Sequence, residues 1–178
     1  LLSHVSGIPN DPDLEWDKPE FDDGALERYV RSLYAKELIA EPGKEFAYSD
    51  VAYEILGEVI AKISGLTFEQ YMDENILKAL EMKESSFLHV SLSKELLTTP
   101  HLLYAQNNGK AKVSEIFPYH RVHAPSSTLC SNVVEMCNYA IAQLNKGSFS
   151  NQNIIFSNSY NDLWEHQIDT GWGGYQEG

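Results

Sequence analysis

The sequence predicts a mainly α-helical fold with an apolar core, and three features of its 178 residues support this prediction. Several segments carry apolar residues at the three- and four-residue spacing of a helix face, with cap residues at their ends. Runs typical of β-strands are few and short. Hydrophobic residues make up 43% of the chain, which is enough for a core and excludes a disordered chain.

The N-terminal part of the chain is predicted to be a loop followed by a helix. Residues 1–24 are rich in Pro, Gly and acidic residues, which favours an irregular acidic loop. Apolar residues then recur at helical spacing over residues 25–38, and we expect Asp22 or Asp23 to cap this helix.

Two further helices are predicted in the middle of the first half. One begins near Asp50 and ends at Gly65, because glycine commonly terminates a helix. Thr67 and Gln70 fit a capping box, which predicts a third helix that continues to about residues 77–80. The predicted inward face of the second helix is apolar: Val51, Ala52, Ile55, Leu56, Val59, Ile60 and Ile63.

The second half is less regular. A turn is predicted at residues 107–109, with short strands on either side. Ser131 is expected to cap a long helix that ends near Leu144, followed by a short strand at residues 154–156 and a helix at residues 157–166. The residues expected to face inward from the long helix are Val134, Met136, Cys137, Ala140, Ile141 and Leu144.

The charge balance excludes two classes of partner. The 13 Lys and Arg residues against 26 Asp and Glu residues give a net charge of −13, and the basic residues form no patch. Nucleic acids and anionic membranes are bound through basic patches, so neither is an expected partner. No apolar run approaches the roughly 18 residues of a membrane-spanning helix. The stretch from Leu1 to His4 lacks the regions of a signal peptide.

The motif search predicts neither a metal site nor an internal nucleophile. The stretch Ser91-Leu92-Ser93-Lys94 matches Ser-x-x-Lys, but one such match is expected by chance, and we interpret it as the start of a short surface helix. His120 and His123 lie close in sequence, but no third zinc ligand has a fitting spacing. The acidic residues of the N-terminal loop lack the alternation and the glycine of a calcium loop.

Tyr48 is the strongest candidate for chemistry. A turn at Pro42 and Gly43 leads it to the N-terminus of the second predicted helix, where the helix dipole favours negative charge. A tyrosine there can relay a proton if a lysine and a nucleophile face it. The alternative is a tyrosine that packs at a helix entrance, and physical reasoning alone favours this alternative.

Five segments together resemble the serine β-lactamase and penicillin-binding protein superfamily, in its branch with class C β-lactamases, D-alanyl-D-alanine carboxypeptidases and related esterases. Residues 42–57, with Tyr48-Ser49-Asp50, resemble the Tyr-x-Asn region. The N-terminal Leu1-Leu2-Ser3-His4-Val5-Ser6-Gly7 is similar to the Leu-Leu-x-His-Thr-Ser-Gly stretch of that superfamily. Residues 63–71, 80–87 and 124–145 resemble its later segments, in the same order.

The resemblance implies a partial domain. In this superfamily a Ser-x-x-Lys helix precedes the Leu-Leu-x-His segment, so the nucleophile would lie before Leu1. The Lys/His-x-Gly motif would follow Gly178. We therefore expect residues 1–178 to be the mainly α part of the β-lactamase/transpeptidase-like α/β fold. Residues 1–24 would form the loop, residues 25–170 the mostly helical region, and residues 171–178 the start of the missing sheet half.

The resemblance also implies a function and a site. The expected reaction is acyl transfer on ester or amide substrates through an acyl-serine, without a cofactor, with Tyr48 as a catalytic residue and Asp50 as a substrate-binding residue. The superfamily usually has Asn where this chain has Asp50. An Asp beside the catalytic lysine would raise the lysine pKa and repel carboxylate substrates, which favours an esterase-like hydrolase over a β-lactamase.

Two alternatives stay open. One is a non-catalytic relative that binds a peptidoglycan-type or acyl ligand, and the other is an unrelated helical interaction domain without a cleft at Tyr48. The resemblance favours a periplasmic or secreted location, and a cytoplasmic one is not excluded by the sequence. We expect the chain by itself to be inactive and to associate through the apolar face that the missing half would cover.

Overall fold

The helices pack around a small core, and three of the described α-helices begin at a residue whose side chain caps the helix. The computed structural model describes residues 1–11, 13–103, 109–171 and 176–177. Its helices are α1 (Ala25–Ser32), α2 (Asp50–Ser64), α3 (Phe68–Met72), α4 (Ala124–Ser127), α5 (Val133–Leu144) and α6 (Ser157–Leu163). Short 3-10 turns cover Leu33–Ala35, His89–Ser91 and Arg121–His123, and a π turn covers Asp73–Leu77.

The strands of the described residues form three separate two-stranded antiparallel ribbons. They pair β1 (His101–Leu103) with β2 (Ala111–Val113), β3 (Ser148–Phe149) with β4 (Gln152–Asn153), and β5 (Ile168–Asp169) with β6 (Gln176–Glu177). The first ribbon confirms the strands predicted on either side of the 107–109 turn. Asn107 and Asn108 of that turn lie outside the described residues.

The start of α3 and the end of α2 confirm the cap predictions. The Thr67 side chain accepts a hydrogen bond from the backbone N–H of Gln70, and the Gln70 Oε1 accepts one from the backbone N–H of Thr67. Gly65 terminates α2 with a φ of 72°, a left-handed conformation that glycine adopts without strain.

Helix α1 is shorter than predicted because the following chain bonds elsewhere. It ends at Ser32 with one 3-10 turn, and Lys36 is already extended. The Ile39 N–H donates to the Gly7 carbonyl at 2.8 Å, so the segment pairs with the N-terminal loop instead of continuing the helix. The predicted cap is wrong as well: Gly24 is the N-cap residue, and Asp22 accepts from the Gly24 N–H.

Helix α5 also corrects the sequence predictions. Its cap is Asn132, whose Oδ1 accepts from the Glu135 N–H at 3.0 Å. The Ser131 hydroxyl instead lies 2.6 Å from the Ser85 hydroxyl, across the molecule. Only Glu135 and Ala142 of this helix are buried, so its predicted inward face is wrong. The apolar residues exposed along it include Val133, Val134, Met136, Tyr139, Ile141 and Leu144.

The strand predicted at residues 154–156 is wrong, since the strands lie just before it in β3 and β4. Helix α6 begins at the predicted residue and ends at Leu163, three residues early. Ser93 and Lys94 lie in a turn and not at a helix start, because the Leu96 N–H closes onto the Ser93 carbonyl.

Two apolar clusters form the core and meet at Phe87. One consists of Leu77, Leu80, Met82 and Ala142, and the other of Leu26, Phe68 and Ala124. A buried ion pair stabilises the second region: the Arg121 Nε donates to Glu69 at 2.8 Å, and its Nη1 donates to the Phe21 carbonyl and to Asp23. Arg121 thereby ties the N-terminal loop to α3.

Candidate active site

The candidate site lies at the N-terminus of α2. Ser49 is the cap residue, in an extended conformation, and its side chain accepts a hydrogen bond from the Ala52 N–H. Tyr48 directly precedes the cap, and Asp50 is the first helical residue. Both side chains therefore sit at the positive end of the helix dipole.

The Tyr48 ring is held on two sides while it stays accessible. Its hydroxyl donates to the Asp50 Oδ1 at 2.8 Å. The ring lies against the His4 imidazole, with centroids 4.5 Å apart and an interplanar angle of 34°. Tyr48 is 47% exposed in the described structure.

His4 orients the start of α2 from the N-terminal segment. It is buried, and its Nδ1 accepts a hydrogen bond from the Ser49 N–H at 3.1 Å. Because Nδ1 accepts a hydrogen bond, it carries no proton, and the N–H of the His4 ring lies at Nε2. The His4 carbonyl accepts from the Ala47 N–H at 2.8 Å, so the backbone of the two segments is also joined.

Asn10 and Gly7 complete the frame. The Asn10 Oδ1 accepts from the Asp50 N–H at 2.8 Å, which satisfies one of the free donors in the first helical turn. Gly7 has a φ of 71°, and a Cβ there would lie 2.0 Å from the Ala40 carbonyl oxygen, so only glycine fits.

The sequence predicted Tyr48 and Asp50 as site residues, and the structure places both at the start of α2, but the sequence did not indicate the residues that hold them. His4 belongs to the Leu-Leu-x-His stretch, which was a signal for the family but not for a contact with Tyr48. Asn10 carries no local signal, since it acts across 40 residues.

A second polar cluster is buried further along α2. The Glu54 carboxylate is fully buried; its Oε1 lies 2.9 Å from the His123 Nδ1 and accepts from the Ser126 hydroxyl at 2.6 Å. Burial raises the pKa of Glu54, because a charge is poorly solvated there. His123, which the sequence analysis considered as a zinc ligand, thus faces the Glu54 carboxylate inside the protein.

The other sequence candidates form local hydrogen bonds of their own. The Ser91 hydroxyl bonds to the Leu88 carbonyl and lies 2.9 Å from the Ser86 hydroxyl. The His120 Nδ1 accepts from the Val122 N–H, and burial lowers the His120 pKa.

The comparison with protein families matches residues 1–172 to the model described as Beta-lactamase. The chain belongs to this family. It is therefore a member of the serine β-lactamase and penicillin-binding protein superfamily, a serine hydrolase-type family, as the sequence predicted.

Curated relatives share parts of this β-lactamase-family chain. It is 36% identical over 87 residues to the protein flp of Staphylococcus aureus (strain MW2), covering 49% of this chain and 17% of that protein. It is 29% identical over 163 residues to Beta-lactamase-like protein 2 of Dictyostelium discoideum, covering 91% of this chain and 28% of that protein. The chain thus spans less than a third of the length of these two relatives.

Solved structures agree on the fold. The octameric penicillin-binding protein homologue from Pyrococcus abyssi matches with a TM-score of 0.80 and 24% identity, covering 99% of this chain and 41% of that one. D-amino acid amidase from Ochrobactrum anthropi SV3 matches with a TM-score of 0.70 and 19% identity, covering 93% of this chain and 46% of that one. The predicted β-lactamase/transpeptidase-like fold, with this chain as a mainly α part, is confirmed.

Proposed function

We propose that this β-lactamase-family chain supplies the Tyr48–Asp50 part of the active site of a serine hydrolase. The substrates would be esters or amides, and the reaction would pass through an acyl-serine. The observation that carries the proposal is the half-exposed Tyr48 side chain at the positive end of α2, with its hydroxyl bonded to Asp50 and its ring against His4. The structural neighbours include a D-amino acid amidase and a D-stereospecific amidohydrolase, which supports an amide among the possible substrates.

Tyr48 would act as the proton relay. The serine oxygen, assigned by the resemblance to the sequence before Leu1, attacks the carbonyl carbon. Its proton passes through the Tyr48 oxygen to the leaving group as the ester or amide bond breaks. Water then repeats the sequence on the acyl-serine and releases the acid. No step requires a cofactor.

Asp50 would set the substrate preference. Its carboxylate lies 2.8 Å from the Tyr48 hydroxyl, so it is close to the atoms that react. A negative charge at this place repels a substrate carboxylate and tolerates a neutral ester. We therefore expect neutral esters to be hydrolysed faster than β-lactams, which carry a carboxylate.

The test uses the complete gene product with short-chain p-nitrophenyl esters and a chromogenic cephalosporin. Tyr48→Phe should lower ester turnover by about a hundredfold or more, the usual scale of a general acid–base group. Tyr53→Phe is the matched control, because Tyr53 also contacts the His4 ring and donates to the Leu2 carbonyl, and it should turn over at nearly the wild-type rate. Equal rates for Tyr48→Phe and wild type would remove Tyr48 from the mechanism.

Asp50→Asn tests the preference separately. The substitution removes the charge and keeps an oxygen acceptor for the Tyr48 hydroxyl, so the cephalosporin rate should rise relative to the ester rate. An unchanged ratio would contradict the electrostatic role of Asp50.

A non-catalytic binding module is the second candidate, because an Asp beside the catalytic lysine would raise the pKa of that lysine and weaken it as a base. Intact mass spectrometry separates the two functions. An acyl adduct on the complete gene product supports the hydrolase, whereas ligand binding without an adduct supports the module. The 178-residue chain alone should form no adduct, and acylation at Ser91 would contradict the whole assignment.

We also propose that the 178-residue chain associates through the exposed apolar residues of α5, such as Val133 and Leu144. Size-exclusion chromatography of the Leu144→Lys variant against wild type tests this: the variant should elute later. Elution of the wild type as a monomer would contradict it.

A further inference from the structure

The cluster of Glu54, His123 and Ser126 has no part in the proposed chemistry, yet Glu54 is the most completely buried carboxylate among the described residues. The Glu54 side chain is fully buried. Its Oε1 accepts a hydrogen bond from the Ser126 hydroxyl and faces the His123 Nδ1. Its Oε2 has no hydrogen-bond partner among the described residues. An apolar side chain of similar size would avoid this desolvation, so stability alone does not account for the carboxylate.

The position of Glu54 connects the cluster to the candidate site. Glu54 lies four residues after Asp50 on α2, so the two side chains share one face of the helix, a turn apart. His123 and Ser126 belong to the 3-10 turn and to α4, which cross this part of α2. One turn further, Gly57 packs so tightly that a Cβ would lie 2.2 Å from the Pro125 Cγ.

The surroundings of His123 define its hydrogen bond. Its ring contacts Trp16 from the N-terminal loop, Tyr29 from α1 and the neighbouring His120. Its Nδ1 faces the carboxylate oxygen, so we assign the proton to Nδ1, which donates to Glu54. Glu54 Oε1 then accepts two directed hydrogen bonds, and these fix its place along and around the axis of α2.

We propose that Glu54, His123 and Ser126 are positioning residues that lock the first turns of α2 and so hold Tyr48 and Asp50 in place. The inference rests on the proposed role of Tyr48. The N-terminal segment holds the same helix start through His4 and Asn10. The Glu54 cluster adds contacts from a separate part of the chain. The N-terminal segment and the cluster together fix the position of the start of α2.

The first test is NMR of the complete gene product. Glu54→Leu removes both hydrogen bonds and should shift the ring signals of Tyr48 and His4, whose stacking depends on the start of α2. Glu54→Gln keeps an acceptor oxygen and should leave these signals near their wild-type positions. The ¹⁵N shifts of His123 should show a protonated Nδ1 in wild type and in Glu54→Gln, and should lose that signature in Glu54→Leu.

Glu135→Leu is a matched control, because Glu135 is also a buried carboxylate that accepts from a serine hydroxyl, at 2.5 Å from Ser85. It should destabilise the fold without moving the Tyr48 signals. Wild-type Tyr48 and His4 signals in folded Glu54→Leu would overturn the proposal. If Glu54→Leu does not fold, Ser126→Ala is compared with Ser85→Ala. Ser126→Ala should shift the Tyr48 signals and Ser85→Ala should not. Unmoved Tyr48 signals in Ser126→Ala would overturn the proposal.

Kinetics of the complete gene product give the second test. Glu54→Leu should lower kcat by about tenfold or more with KM within about twofold, since a small misplacement of a reacting group lowers turnover strongly. Glu135→Leu should keep kcat within about twofold. Equal losses in both variants would overturn the positioning role. If the wild type hydrolyses no ester, the proposed function fails, and the NMR test still decides on the positioning.

Discussion

The contact between α2 and α4 allows a prediction in which two known effects oppose each other. Replacing a helical glycine by alanine normally stabilises a protein by about 1 kcal/mol, because alanine has the higher helix propensity. At Gly57 the new Cβ would lie 2.2 Å from the Cγ and 2.8 Å from the Cβ of Pro125. Ordinary contact begins near 3.4 Å, so the two helices would have to separate by about 1.2 Å.

That separation should cost more than the propensity gain. Overpacking of this kind costs about 1–3 kcal/mol. The same movement stretches the hydrogen bonds of Glu54 to Ser126 and His123, at 2.6 and 2.9 Å, and weakening a bond to a charged group adds about 1 kcal/mol or more. We expect Gly57→Ala to lower the free energy of unfolding by about 1–3 kcal/mol in total.

The assay is thermal unfolding followed by circular dichroism. For a chain of this size, the loss corresponds to a fall in Tm of about 2–12 °C. In a Pro125→Ala background the nearest clash is absent, so Gly57→Ala should cost less by about 1 kcal/mol, a coupling that a double-mutant cycle measures. A higher Tm for Gly57→Ala than for wild type would refute the packing argument.

Two further predictions concern buried charge and pH. Arg121→Met leaves the buried Glu69 carboxylate without its partner and should lower the free energy of unfolding by about 3–5 kcal/mol in urea titrations. Arg28→Met, on the surface, is the control and should have a much smaller effect. Comparable losses in the two variants would contradict the burial argument. Burial lowers the His120 pKa below its ordinary 6.5, so the folded state takes up this proton less readily and stability is lost as pH falls through and below that value. Between about pH 7.5 and about pH 5.5 the urea midpoint should therefore fall further for wild type than for His120→Asn. This variant retains an acceptor for the Val122 N–H. An equal fall in the two proteins would exclude the role of His120.

The parts of the fold that the sequence predicted correctly depend on local chemistry. Gly65 ends α2 through its own backbone conformation, and Thr67 with Gln70 starts α3 through bonds three residues apart. The cap of α5 was misassigned because Ser131 and Asn132 are both good cap residues. The choice depends on Ser85, which bonds to the Ser131 hydroxyl from 46 residues away.

The apolar pattern of α2 shows where periodicity stops being sufficient. Val59 and Ile63 belong to the predicted inward face but are 44% and 83% exposed, while Glu54 is fully buried. The spacing of Val51, Glu54 and Gly57 marks the face that packs against α4, yet a pattern of apolar residues passes over a carboxylate and a glycine. A polar residue at helical spacing between buried positions is the signal that would have found Glu54.

The candidate site combines both kinds of information. The order Tyr48-Ser49-Asp50 and the cap are local, so the sequence could predict that a tyrosine begins a helix. The direction of the Tyr48 ring depends on His4, 45 residues from its Ser49 contact, and the placement of α2 depends on His123, 69 residues from Glu54. A motif of this family therefore identifies the candidate residue for proton transfer, whereas the accuracy of its placement is decided by residues that no motif contains. Substitutions at those distant residues should change turnover through the position of Tyr48, even where the motif itself is intact.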